Sequence, residues 1–228
     1  MNQTNYEYLK ALQELNKAEE VKPRDMKVKE LLCYTMKLDA KYKLIELPGF
    51  ETNENYAHEE LSWYLAATNR IDFSPLIEKT WKKFSDDGLT VNSAYGHRIF
   101  GSHELIKINQ WQWVKDKLCE DRDSRQAIIN LNSAFDKEKK TKDFICTIAL
   151  QFFIRNNSLN MITYMRSQDI YYGTRNDIYC FMSMQEMMAK ELDVSLGNYY
   201  HVCGSLHIYE KHFKKIEKLL KDIKIKND

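Results

Sequence analysis

Glycine and proline are scarce, 7 and 3 in 228 residues, which leaves little material for a flexible linker. No stretch has the Ser/Gly/Pro composition that separates folding units. No internal repeat is visible, so residues 1–228 read as one domain. Long apolar runs are missing too. The opening MNQTNYEYLKALQEL is polar, and nowhere do apolar residues run far enough to span a bilayer. A cytoplasmic protein with no membrane partner is expected. Excess charge of either sign is absent: 34 Lys+Arg against 33 Asp+Glu give a net charge of +1, so no global field would gather a nucleic-acid backbone. The cysteines are odd in number (Cys33, Cys119, Cys146, Cys180, Cys203) and form no C-x-x-C pair, which excludes a disulfide framework and a zinc spacing. The histidines contain no H-E-x-x-H or similar pair, so no metal is expected.

What is present suffices for a large core, with 43% hydrophobic and 12% aromatic residues. Tyr8, Leu9, Leu12 and Leu15 recur at helical spacing within residues 4–20, an amphipathic helix that Pro23 should stop. LLCYTMKLD and KYKLIEL, between Leu31 and Leu47, alternate like a strand pair. AHEELSWYLAATN returns to helical spacing with Glu60 inside it, whereas Trp81 to Gly101 reads as an irregular shaped loop. CTIALQFFIRNNSLNMITYMRS is a hairpin with its turn at Arg155 to Ser158, opened by Cys146 and closed by Arg166. A helix follows from about Asp177 to Leu192, then the strand YYHVCGSLHIY. The Lys-rich tail KKIEKLLKDIKIKND carries an apolar stripe, Ile216, Leu219, Leu220 and Ile223, opposite its solvated lysines. Strands and helices in this order argue for an α+β sheet protein.

Taken singly, the chemically able residues have ordinary readings. A cysteine at a strand start is usually a small buried hydrophobe, a helical glutamate usually faces solvent, and His207 with Tyr209 is an ordinary strand pair. Their order changes this. ELSWYL around Glu60, AYG around Tyr95, DSR at Asp123 to Arg125, the Cys146 strand with Gln151 and Phe152, Y-x-R-S-x-D-x-x-x-G from Tyr164 to Gly173, and G-x-x-H-x-Y from Gly204 to Tyr209 form a series. It resembles the thymidylate synthase superfamily from about Arg24 to Phe213, and within it the cytidylate (dCMP/CMP) 5-hydroxymethylases.

The resemblance implies an α+β fold with a large mixed sheet flanked by helices, one sheet face serving homodimerisation. Cys146 matches the nucleophile that adds to pyrimidine C6, and Glu60 the general acid/base. Tyr95 matches a tyrosine near the C5 proton. Arg24, Arg125, Arg166 and Ser167 match phosphate-binding positions, Arg125 reaching across from the neighbouring subunit. His207 and Tyr209 match the pair that binds the sugar. Trp81, Asp169 and Gly173 match the side occupied by the co-substrate 5,10-methylenetetrahydrofolate. The partners implied are a pyrimidine nucleoside monophosphate and a second copy of the chain.

Asp177 stands where members acting on dUMP carry asparagine. The amide offers uracil one donor and one acceptor, whereas a carboxyl can take the amino hydrogen of cytosine with a proton shared at N3. The rival reading makes Asp177 a helix N-cap. Other departures are Gln126 for a second arginine, Ile145 and Thr147 around the nucleophile, Met165 before Arg166, Arg175-Asn176 before Asp177, and Ser205 near the sugar histidine. After Asp228 the family continues into a segment that closes over the folate. A less sealed site would let water, rather than hydride, end the reaction. The expectation is a folate-dependent cytidylate 5-hydroxymethyltransferase. Methylation of dUMP or of a cytidylate, and a non-catalytic nucleotide-binding or RNA-binding regulator, are the alternatives.

Overall fold

The computed structural model describes residues 1–101, 108–137 and 141–227; Asp228, the last residue of the Lys-rich tail, lies outside them. Helix α1 (Gln3–Lys17) is capped by Asn2, whose side chain accepts from the Asn5 N–H, and it buries Tyr8, Leu9, Leu12 and Leu15 as the spacing requires. It ends well before Pro23, because a short strand β1 (Glu20–Val21) intervenes.

Strand β2 (Val28–Asp39) is long, and its ladder partner is the distant β7 (Ser195–Tyr209), antiparallel. The expected strand pair between Leu31 and Leu47 therefore does not form. Residues 41–47 stay outside the sheet because other groups satisfy their backbone: the Ile45 N–H donates to Thr52 Oγ1 (3.0 Å) and the Glu46 N–H to Asn5 Oδ1 (2.8 Å). Ile45 and Leu47 are still buried.

Helices α2 (Glu54–Leu65) and α3 (Pro75–Trp81) follow. The stretch expected to be irregular contains a short helix, α4 (Tyr95–Phe100). It lies so close to α2 that a Cβ on Gly96 would stand 2.0 Å from the Tyr64 carbonyl oxygen, a space only glycine leaves open. Helix α5 (Gln110–Glu120) precedes β3 (Ile128–Asn130). Then comes the expected hairpin, β4 (Thr147–Arg155) and β5 (Ser158–Met165), turning through Asn156 and Asn157, both at positive φ. Strand β6 (Gln168–Asp169), helix α6 (Gly173–Glu191), β7 and helix α7 (Phe213–Asn227) complete the order.

Among the described residues seven strands form one mixed sheet, ordered β1-β2-β7-β5-β4-β3, with β6 alongside β7. β5 and β7 run parallel and the other pairs in that order run antiparallel. One face is buried: Phe152, Met161, Thr163, Tyr199, His201, Met36 and Leu38 meet α1, α5 and α6. The other presents half-buried Phe153, Ile162, Tyr164, Tyr200 and Val202, the period-2 signature of a sheet packed on one side. This is the expected α+β arrangement. The α7 stripe packs as read, with Ile216 and Leu219 buried and Leu220 and Ile223 against the core. Among the described residues no helix is long and apolar enough to cross a membrane.

Candidate active site

The open end of the β4–β5 hairpin brings Cys146 and Arg166 together. Cys146 immediately precedes β4 and Arg166 follows β5, and the Arg166 N–H donates to the Cys146 carbonyl (2.8 Å). The guanidinium is then fixed by two donations, Nε to the Ile145 carbonyl (2.7 Å) and Nη2 to the Phe144 carbonyl (2.7 Å). This leaves Nη2 3.6 Å from Cys146 Sγ. Burial pushes the thiol pKa up, and the Arg166 charge acts against it by favouring the thiolate.

Helices α2, α4 and α6 converge behind the thiol and supply Glu60, Tyr95 and Asp177, all buried. Burial pushes Glu60 up to about 8, with the neighbouring Asp177 carboxylate adding to the shift. Burial likewise raises Asp177 to about 7, against a hydrogen bond from Gln168 (Nε2 to Oδ2, 2.7 Å). Two carboxyls that hold protons near neutral pH are suited to acid/base work. Tyr95 stacks on Phe181 with ring centroids 5.8 Å apart, and its hydroxyl is hydrogen-bonded to Thr147, the residue after Cys146. Asp177 interacts electrostatically with Glu60, Tyr95 and Cys146, so the four groups form one cluster.

Asp177 is not an N-cap. Helix α6 begins at Gly173, with Tyr172 in the capping position, and places Asp177 in its second turn with its carboxyl turned inward. Gly173 and Thr174 start the helix one turn earlier than the apolar periodicity suggests.

Beside Arg166 lies a cavity of about 490 Å³ lined also by Arg24, Glu30, Ser167, His207 and Tyr209, among others; Cys146 is not among its lining residues. Arg24 and Asp25 both adopt left-handed backbone (φ 52° and 60°), a strained conformation of the kind that collects at functional sites. The His207 and Tyr209 rings stand nearly perpendicular, 5.2 Å apart. Ser205 donates to Glu30 Oε1 (2.5 Å) at the same wall. Arg125 is not among the lining residues. It is exposed ahead of β3, and its carbonyl accepts from Gln151, a residue of the open sheet face.

The residues expected on the folate side lie on three elements: Trp81 on α3, Asp169 on β6 and Gly173 at the start of α6. Trp81 ends α3, packs against Trp63 and Phe84, and donates its indole N–H to the Tyr56 hydroxyl (3.0 Å); Tyr56 in turn donates to Glu60 Oε1 (3.2 Å). Asp169 Oδ1 accepts the Tyr171 and Tyr172 N–H groups (2.8 and 3.4 Å), and none of these bonds uses Oδ2. An indole face and a carboxylate with a spare oxygen are a donor set that fits a pteridine. Among the described residues no cluster of three or more His, Cys, Asp or Glu could hold a metal.

Three residues here were not singled out in the sequence. Tyr56 lies one turn ahead of Glu60, an i,i+4 spacing that could have marked it. Gln168 is the unspecified position in S-x-D, and Glu30 reaches the cavity only through the β2–β7 register opposite His207, which no local pattern reveals.

Comparison with known proteins identifies the family. The family model described as thymidylate synthase matches residues 6–226. The deoxyuridylate hydroxymethyltransferase of Bacillus phage SP01 is 34% identical over 173 residues, 72% of this chain and 45% of that protein. The deoxycytidylate 5-hydroxymethyltransferase of Enterobacteria phage T4 is 27% identical over 177 residues, 72% of this chain and 71% of that protein. The match therefore spans less than half the length of the SP01 relative. The family and both relatives are one-carbon transferases. With a match running almost from end to end, the chain belongs to the thymidylate synthase family.

Proposed function

We propose that the protein is a folate-dependent cytidylate 5-hydroxymethyltransferase, converting CMP or dCMP, 5,10-methylenetetrahydrofolate and water to the 5-hydroxymethyl nucleotide and tetrahydrofolate. The observation that carries this reading is the buried Asp177 carboxyl within the Cys146, Glu60 and Tyr95 cluster, at the position that the resemblance gives to base reading. Hydroxymethyl transfer, rather than methylation, is supported by the names of both phage relatives.

In this reading Arg24, Arg166 and Ser167 hold the phosphate, and His207 with Tyr209 holds the sugar. Arg166 favours the Cys146 thiolate, which adds to C6 and makes C5 nucleophilic. Asp177 in its neutral form donates to N3 and accepts from the 4-amino group. Glu60, tied through Tyr56 to Trp81, moves protons to and from the ring. Trp81, Asp169 and Gly173 hold 5,10-methylenetetrahydrofolate, which supplies a one-carbon unit at the oxidation level of formaldehyde. The chain acts as one thymidylate synthase-like unit and pairs with a second copy through the open sheet face, which carries Arg125 to the partner's phosphate site.

A second reading, deoxyuridylate hydroxymethylation, draws on the SP01 relative. The test is turnover of CMP, dCMP and dUMP while dihydrofolate is monitored. Cytidylate consumption without dihydrofolate, abolished in Cys146→Ala, supports the proposal. Turnover confined to dUMP supports the second reading, and stoichiometric dihydrofolate establishes methylation instead.

A further inference from the structure

Gln168 takes no part in the assignments above, yet it is 2% exposed and donates its Nε2–H to Asp177 Oδ2 at 2.7 Å. Its backbone is anchored by the β6–β7 pairing, opposite Leu206, so the side chain leaves a fixed point. Gly173 makes room for the pair: a Cβ there would lie 3.2 Å from Gln168 Nε2 and 3.3 Å from Asp177 Oδ2, tighter than an ordinary contact. Gln168, Gly173 and Asp177 therefore form one packed unit.

We infer that Gln168 is a specificity-determining positioning residue, which pins one oxygen of the Asp177 carboxyl as an acceptor and so makes its two oxygens inequivalent toward a pyrimidine. The inference rests on Asp177 reading the base. A neutral carboxyl presents one donor and one acceptor. Cytosine needs the acceptor opposite its 4-amino group and the donor opposite N3; uracil needs the reverse, a donor to O4 and an acceptor for N3–H. An isolated carboxyl satisfies both by moving its proton from one oxygen to the other. A carboxyl whose Oδ2 already accepts from Gln168 keeps its proton on Oδ1, so it fits one base and meets the other with two unmatched pairs. Asparagine achieves the same asymmetry covalently; here a neighbouring amide imposes it.

The experiment measures kcat/KM for a cytidylate and a uridylate carrying the same sugar in the wild type, Gln168→Met and Asp177→Asn. Methionine keeps the length of glutamine and removes the donor. The expected result is that Gln168→Met moves the base ratio toward unity by about tenfold or more, the scale of one buried hydrogen bond to a carboxyl. The alkaline limb of its pH profile also moves to higher pH, because the bond that holds the Asp177 pKa down is gone. A merely structural role would lower kcat/KM for both bases equally and leave the limb in place, and that result overturns the inference. If Asp177→Asn leaves the ratio unchanged, base reading by Asp177 is itself wrong. A changed ratio in Asp177→Asn with none in Gln168→Met defeats the Gln168 role alone. Where turnover is too slow to follow, or Gln168→Met does not fold, the ratio of nucleotide Kd values in Gln168→Met or in Gln168→Ala decides in the same way.

Discussion

Arg166 Nη2 lies 3.6 Å from Cys146 Sγ, at the open end of a hairpin whose last backbone bond joins the same two residues. The guanidinium also donates to the Ile145 and Phe144 carbonyls and lies over the Phe144 ring, so it cannot swing away without losing these contacts. Two residues twenty positions apart are thus held as a thiol and a neighbouring positive charge, and Arg166 also lines the cavity.

Replacing this arginine should expose its effect on the thiol. Arg166→Gln raises the Cys146 pKa, because burial then acts unopposed. Alkylation of Cys146, followed by peptide mass spectrometry across a pH series, should shift to higher pH, and kcat/KM should fall roughly 100-fold or more as charge-assisted contacts to thiolate and phosphate are both lost. An unmoved alkylation profile would separate Arg166 from thiol activation.

The buried acids impose a pH dependence on stability. Glu60 and Asp177 have folded-state pKa values of about 8 and about 7, above the ordinary carboxyl range. The folded state therefore holds protons that the unfolded chain has released, and the stability these groups contribute is fully present below their unfolded pKa values. It is lost as pH rises through about 7 to 8. Glu60→Gln, which has no proton to lose, should flatten this fall and gain on the order of 2 kcal/mol over the wild type at pH 8. Denaturant titrations at about pH 5 and pH 8 read the difference. The same variant should lose turnover by about 100-fold.

Subunit complementation checks the placement of Arg125, which is exposed and outside the cavity of its own chain. Arg125→Ala and Cys146→Ala proteins should each be nearly inactive. After unfolding and refolding together they should recover about one quarter of wild-type activity, since half the random dimers are mixed and one site in each mixed dimer is complete. No recovery would place Arg125 outside the neighbouring site.

Much of this was legible in order and spacing. The α1 and α7 stripes, the β4–β5 hairpin and the Glu60 helix follow from period 3.6 or 2 in the apolar residues. Long-range terms decided the rest. Residues 41–47 alternate like a strand, but Asn5 and Thr52 satisfy their backbone from outside. Helix α4 is too short for its periodicity to show, and its position depends on the absent Cβ of Gly96. The start of α6 is hidden in the sequence because Gly173 and Thr174 carry no apolar signal, and a helix read as beginning at Asp177 invites an N-cap reading that the structure removes. Of the candidate site, the motifs mark Cys146, Glu60, Tyr95 and Asp177. The residues that hold them, Gln168 and Tyr56, emerge only from packing.

The central claim is the product. Incubation with 5,10-methylenetetrahydrofolate and, separately, CMP, dCMP and dUMP, followed by mass spectrometry of the nucleotides, tests it most directly. The account predicts that a cytidylate gains one CH2O, that the gain disappears in Cys146→Ala, and that Asp177→Asn moves it toward dUMP. A gain of CH2 on dUMP, with cytidylates untouched, would contradict it.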